Sequence, residues 1–263
     1  MFIRKWSTNN KPVGSIIIVH GLGEHSGRYD PFARFLTSKG FTVYSSDLPG
    51  HGVSSSPYGH VDSFNEFFET VETLMNIANI EFPDLPLYLF GHSMGALVSI
   101  RVAQERTEDF KACVFSAPPL HSLKKQAGGL VPLLIVLNMV APFVRFSNRI
   151  DPNKLSTNPE AVKRYINDPF VHDKISARLF NNMDKNISIA WQKTDNLPDS
   201  VMFIYGTDDT VISVDAIKEF FEKVSAKNKR IVEIEGGKHE IFEDLERKER
   251  FFNEIASYFL DNL

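Results

Sequence analysis

The stretch Leu87-Tyr88-Leu89-Phe90-Gly91-His92-Ser93-Met94-Gly95 constrains this chain more than any other. A short apolar run suited to a buried strand ends in G-x-S-x-G and passes directly into helix-compatible sequence, Ala96 to Gln104. The five-letter pattern alone also fits an ordinary strand–turn–helix with a surface serine. Its strand-to-helix context is what carries information, because a sharp turn there forces Ser93 into strained backbone geometry and lifts its hydroxyl above a sheet edge. Side chains at Gly91 and Gly95 would collide with so tight a turn.

A serine hydroxyl is a poor nucleophile at neutral pH. It needs a histidine to take its proton, and the histidine needs a carboxylate to fix its tautomer. Both groups follow in the order Ser, Asp, His. Val201 to Tyr205 reads as a buried strand leading into Gly206-Thr207-Asp208-Asp209-Thr210-Val211, and Arg230 to Ile234 reads as another leading into Glu235-Gly236-Gly237-Lys238-His239. Both groups therefore sit past the carboxyl ends of strands, where open α/β sheets bind ligands. Of eight histidines, His239 alone follows the last strand after the acid. Asp208 and Asp209 compete for the acid role, and one of them could instead cap the helix that starts near Ser213. Upstream, Ser15 to Val19 is a β-branched strand followed by His20-Gly21-Leu22-Gly23-Glu24-His25. This loop and the residue after the nucleophile are the usual sources of oxyanion donors, which nominates the backbone amides of Leu22 and Met94. A metal reading of His20, Glu24 and His25 lacks the H-E-x-x-H spacing and further ligands, so no metal is expected.

Three strings, His20-Gly21-Leu22-Gly23-Glu24-His25-Ser26-Gly27-Arg28-Tyr29, Asp47-Leu48-Pro49-Gly50-His51-Gly52-Val53-Ser54 and Gly91-His92-Ser93-Met94-Gly95, resemble the monoacylglycerol lipase/lysophospholipase branch of the serine α/β-hydrolases. The resemblance runs over essentially the whole chain, and H-G-x-G-E-H-S-x-R-Y is its most specific part. It implies hydrolysis of one fatty-acyl ester of glycerol without metal or organic cofactor. It favours Asp209 through the spacing G-x-x-D-x-V, and by similarity it places Arg28, His92 and Tyr165 at the polar end that receives glycerol. Ala96 stands where the family most often has a second glycine, a conservative departure.

The expected fold class is α/β: a mostly parallel, doubly wound sheet with an inserted helical cap. Strands and helices alternate except between Pro118 and about Asn196. This gives a core of 1–117 and 197–263 with a cap of 118–196. Ser63 to Glu66 carries a capping-box signal, and Phe64, Phe67, Phe68, Val71, Leu74, Met75 and Ala78 share one helical face that reads as core. Met1 to Trp6 reads as an early strand rather than a secretion signal. Within the cap, the apolar run Gly128 to Val144 is shorter than the ~20 residues of a spanning helix and is broken by Pro132, Asn138 and Pro142. Two readings stand: an ordinary cap helix packed on the core, or a helix with Leu130, Leu134, Leu137 and Val140 lining an acyl tunnel and another face meeting lipid aggregates or a membrane surface.

A net charge of −4 with no basic stripe argues against a nucleic-acid partner. The single cysteine, Cys113, excludes an internal disulfide and fits a cytoplasmic enzyme, and the apolar cap run would let it sit peripherally at membranes. The expected activity is therefore a serine carboxylester hydrolase acting on monoacylglycerols. Rival readings are a lysophospholipase, a broad short- and medium-chain carboxylesterase, and a non-catalytic binding protein that kept the fold.

Overall fold

The computed structural model describes residues 2–54 and 57–263; of the expected first strand, Met1 lies outside them. Seven strands form the central sheet: β1 (Ile3–Trp6), β2 (Gly14–Val19), β3 (Phe41–Ser46), β4 (Leu87–His92), β5 (Ala112–Ser116), and, after a long excursion, β8 (Ser200–Gly206) and β9 (Asn228–Ile234). Their order is β1-β3-β2-β4-β5-β8-β9, with β1 antiparallel to β3 and the other pairs parallel.

Buried parallel strands carry apolar side chains on both faces, and β2 shows how these divide. Ile16 and Ile18 join a cluster with Tyr29 and Phe32 at α1 (Asp30–Ser38) and with Phe251 and Ile255 of α9 (Lys248–Leu260). Ile17 and Val19 face the other way, toward Phe67 of α2 (Asn65–Glu81), Leu97 of α3 (Met94–Glu105) and Phe220 of α8 (Val214–Lys223). At the start of α2 the Glu66 carboxylate accepts the Ser63 N–H at 2.9 Å, one half of the expected capping box.

The chain turns to opposite sides of the sheet after β2 and after β4, which are neighbours. Their carboxyl ends therefore bound the crevice at which α/β sheets place ligands. The oxyanion-loop candidate and Ser93 lie side by side there.

Between β5 and β8 the chain leaves the sheet to form the cap. It comprises α4 (Leu123–Ala127), α5 (Val131–Val140), β6 (Arg145–Ser147), α6 (Pro159–Asn167), β7 (Lys174–Ser176) and α7 (Ala177–Gln192). The β6–β7 antiparallel pair is absent from the sequence expectation, since three-residue strands so far apart in the chain leave no alternating pattern to detect. The cap is fastened to the core through main-chain bonds from Ser176 N–H to Gly59 O at 2.7 Å and from His172 N–H to Gly23 O at 2.9 Å.

Helix begins before the apolar cap run, at Leu123. Leu123 to Val140 is helical over 18 residues and, by length and composition alone, apolar enough to cross a membrane; a 3-10 turn at Gly128–Leu130 divides it. Only 6% of that stretch is buried. Of the four residues expected to line a tunnel, Leu134 is buried and Leu137 is half-buried, but Leu130 and Val140 are 45% and 72% exposed. Leu130 belongs to the 3-10 turn and is out of phase with α5, and Val140 is the last residue of that helix. Leu133, Val136 and Met139 are exposed as well, leaving an apolar helix face open to solvent.

Candidate active site

Ser93 follows β4 with φ 52° and ψ −124°, a strained combination for a residue with a side chain. The strain is sustained by close packing of the turn. A Cβ on Gly91 would strike Gly95 O and Ser99 Oγ, and one on Gly95 would strike the carbonyls of Val19 and His20. Ser93 N–H donates to Ser116 O at 2.9 Å, while the Ala96 and Leu97 amides donate back to Ser93 O.

Beyond β8 and β9, two loops are stitched together by main-chain bonds. Thr207 N–H donates to Ile234 O and Asp208 N–H to Gly237 O. This seam brings Asp209 and His239 to the same rim. Ser93 Oγ lies 2.9 Å from His239 Nε2, and His239 Nδ1 lies 2.7 Å from Asp209 Oδ2. Asp209 Oδ1 accepts the amides of Val211 and Ile212, which fixes the carboxylate's orientation. Asp208 is exposed and bonded only locally, and Ser213, not an aspartate, caps α8.

Burial opposes ionisation of Asp209, but the facing His239 and the two amides outweigh it and hold its pKa below the ordinary value. Burial likewise opposes charge on His239, yet Asp209, helped by Glu240 and Glu24, raises its pKa above the usual imidazole value. His92, whose ring centroid is 4.8 Å from that of His239, is held neutral chiefly by burial. Its Nδ1 meets Ser116 Oγ at 3.1 Å.

The oxyanion-loop candidate is braced by Glu24. Its buried carboxylate accepts Gly21 N–H at 2.6 Å and Tyr29 O–H at 2.8 Å on one oxygen, and Arg28 on the other at 2.7 Å. Among the described residues, the Leu22 and Met94 amides have no protein acceptor. Leu22, Ser93 and His239 line one small crevice of about 10 Å³, together with Gly21, Glu24, His92, Glu240 and three cap residues, Ile150, Leu155 and Tyr165. That is room for about one water molecule. None of Leu130, Leu134, Leu137 and Val140 reaches it.

Arg28 does not reach the crevice either. Its guanidinium is buried, bidentate to Glu240 at 2.6 and 2.7 Å, and stacked on the Tyr165 ring at 4.8 Å. Tyr165 separates the crevice from a larger cleft of about 310 Å³ whose lining includes His25, Arg28, Arg164, Asp168 and Glu243. Both arginines there already face carboxylates, Arg28 facing Glu24 and Glu240 and Arg164 facing Glu243, and the His25 ring meets Asp168 at 2.9 Å. His20 is also spoken for, since Nε2 accepts Leu48 N–H and Nδ1–H donates to Gly21 O. Among the described residues no group of His, Cys, Asp and Glu is arranged to hold a metal ion.

The family described as Hydrolase_4, serine aminopeptidase S33, matches residues 10–246. The chain belongs to this family. Relatives align along nearly the whole chain. Phospholipase YtpA of Bacillus subtilis is 31% identical over 244 residues, 92% of this chain and 93% of its own length. A monoacylglycerol lipase of Mycolicibacterium smegmatis is 28% identical over 259 residues, 98% and 92% respectively. The crystal structure of the Paleococcus ferrophilus monoacylglycerol lipase superposes with a TM-score of 0.91 at 37% identity, covering 100% of this chain and 99% of that one. The Hydrolase_4 chain described here is thus a serine hydrolase of α/β-hydrolase fold.

Sequence reasoning missed Ile150, Leu155 and Glu240. The first two lie in cap segments without periodicity. Glu240 carried one signal, its place directly after His239.

Proposed function

We propose that this chain cleaves monoacylglycerols to fatty acid and glycerol through Ser93, His239 and Asp209. The observation that carries the reading is the continuous chain of hydrogen bonds from Ser93 Oγ through His239 to Asp209, opening beside two unengaged amides. Ser93 Oγ forms a bond to the ester carbonyl carbon while His239 Nε2 takes its proton. The carbonyl electron pair moves onto oxygen, where the Leu22 and Met94 amides hold it. As the tetrahedral centre collapses, the C–O bond to glycerol breaks and His239 returns the proton to the departing alkoxide. Water, deprotonated by the same ring, then attacks the acyl-serine carbonyl; the acyl–Oγ bond breaks, His239 returns the proton to Ser93 Oγ, and the fatty acid leaves.

The larger cleft beyond Tyr165 favours a neutral polyol over a phosphodiester, because both arginines lining it are already paired with carboxylates. His92 and Tyr165 line the crevice where glycerol would sit. A crevice of about 10 Å³ does not admit a monoacylglycerol, so binding requires the cap to shift. In this reading the exposed α5 face meets the lipid aggregate from which the acyl chain is drawn.

Covalent labelling by a fluorophosphonate, absent in Ser93→Ala, tests the nucleophile. Turnover of 1-oleoylglycerol, lysophosphatidylcholine, a p-nitrophenyl ester series and leucine p-nitroanilide tests the substrate. Monoacylglycerol is expected to give the highest kcat/KM of the four. A preference for the lysophospholipid or the anilide would overturn the headgroup argument.

A further inference from the structure

Glu24, Arg28 and Glu240 are all buried beside His239, and their roles are not exhausted by the acyl-transfer steps above. Burying three ions is costly, and apolar replacements of such clusters are often neutral or stabilising, so stability alone does not account for this one. Each of the outer partners belongs to a different part of the site. Glu24 accepts the Gly21 amide, one residue before the oxyanion-donor candidate Leu22. Glu240 directly follows His239, and its own amide donates to Leu155 O of the cap at 2.7 Å. Arg28 bonds both carboxylates, with the pair to Glu240 in the bidentate form that fixes orientation as well as distance.

We propose that Glu240, clamped by Arg28, is a positioning residue for the His239 base and that the Glu24–Arg28–Glu240 cluster holds the base loop in register with the oxyanion loop. This rests on the assignment of His239 as general base. Two carboxylates against one guanidinium leave excess negative charge beside His239, which favours the imidazolium that forms in each transition state. The ring is faced by Asp209 and Ser93, by His92 from the end of β4, by Glu24 from the segment after β2, and by Tyr165 of the cap across the crevice, while Arg28 lies behind Glu24 and Glu240. Asp209 is the main influence that raises its pKa against burial, and Glu240 and Glu24 act in the same direction.

The test is the pH dependence of kcat/KM on a soluble p-nitrophenyl ester for the whole enzyme, compared with Glu240→Gln and Glu240→Asp. The base works when neutral, so activity rises with pH through its pKa. Removing the neighbouring charge should move that acid limb to lower pH by about half a unit or more. The Glu240→Gln variant should also lose about tenfold in kcat with KM little changed. Glu240→Asp, which keeps the charge, should keep the wild-type limb. NMR titration of the His239 ring reads the same shift without turnover. Coincident limbs and ring titrations for wild type and Glu240→Gln would overturn the proposal.

If Glu240→Gln does not fold, Arg28→Lys keeps the charge balance and removes the bidentate clamp. A lower kcat with an unmoved limb is then expected, and an unchanged kcat overturns the positioning role. Fluorophosphonate labelling of the same preparations separates the two levels. Wild-type protein that does not label indicts the base assignment itself, whereas labelling abolished in His239→Ala leaves only the role of Glu240 at stake.

Discussion

Asp209 does two jobs with two oxygens, and this makes it the most sharply testable side chain in the molecule. One oxygen is spent on the Val211 and Ile212 amides and the other on His239 Nδ1–H. Asp209→Asn preserves shape but can turn an N–H toward the ring, favouring the wrong tautomer. Its kcat on a soluble ester should fall by about 10⁴. Asp208→Asn changes an exposed residue outside this relay and should leave kcat within about twofold. Circular dichroism of both variants checks that the loss is not unfolding. The sequence already held the two loops that bear Asp209 and His239, because a carboxylate or imidazole just past an apolar strand is a local pattern. Arg28 shows the limit of that reading. The resemblance places it at the glycerol end, and the structure adds that its guanidinium is held by Glu240, 212 residues away in the chain, a partner no local pattern reveals.

At the level of elements, the β4–α3 junction and the cap helix α5 differ in how firmly their surroundings fix them. The junction is packed against the carbonyls of Val19 and His20 at Gly95, so Gly95→Ala should destabilise the fold by about 3 kcal/mol, measured by urea unfolding, and should also reduce labelling of Ser93. The helix α5 is the reverse case, with Leu133, Val136 and Met139 turned to solvent. Glutamate at Val136 and Met139 should cost little stability. It should weaken binding to phosphatidylcholine vesicles and slow hydrolysis of vesicle-borne monoacylglycerol several-fold, leaving a soluble short-chain ester unaffected. Equal losses on both substrates would count against a lipid-facing helix. The apolar run was legible in the sequence, but the direction it faces was not. Its residues are apolar nearly all round, so periodicity could not say which would be covered, and the 3-10 turn at Gly128–Leu130 shifts Leu130 out of phase. The β6–β7 pair escaped detection for a related reason, since it is specified by tertiary packing of Ile175 rather than by propensity.

For the molecule as a whole, three buried histidines and the half-buried His172 set how stability responds to acid. His20, His51, His92 and His172 each have a pKa lowered from 6.5, in every case chiefly because burial disfavours the imidazolium. Each therefore contributes stability that is fully present above its unfolded pKa and is lost as the pH falls below it. His239 has the opposite sign. Its raised pKa contributes stability below 6.5 that fades as the pH rises through the folded value, so it offsets only one of the four. Asp47, Asp209 and Asp244 have pKa values lowered from 3.8 in spite of burial, because hydrogen-bond donors and neighbouring cations hold them ionised. Their contribution survives until the pH approaches the ordinary carboxylate range and is lost below it. The melting temperature should therefore begin to fall near pH ~6.5, well before the carboxylates protonate, and fall more steeply below pH ~4. Calorimetry across this range checks the order of the two phases. A melting temperature that stays flat from pH ~7 to ~5 would mean that the four imidazoles are not held neutral in the folded protein.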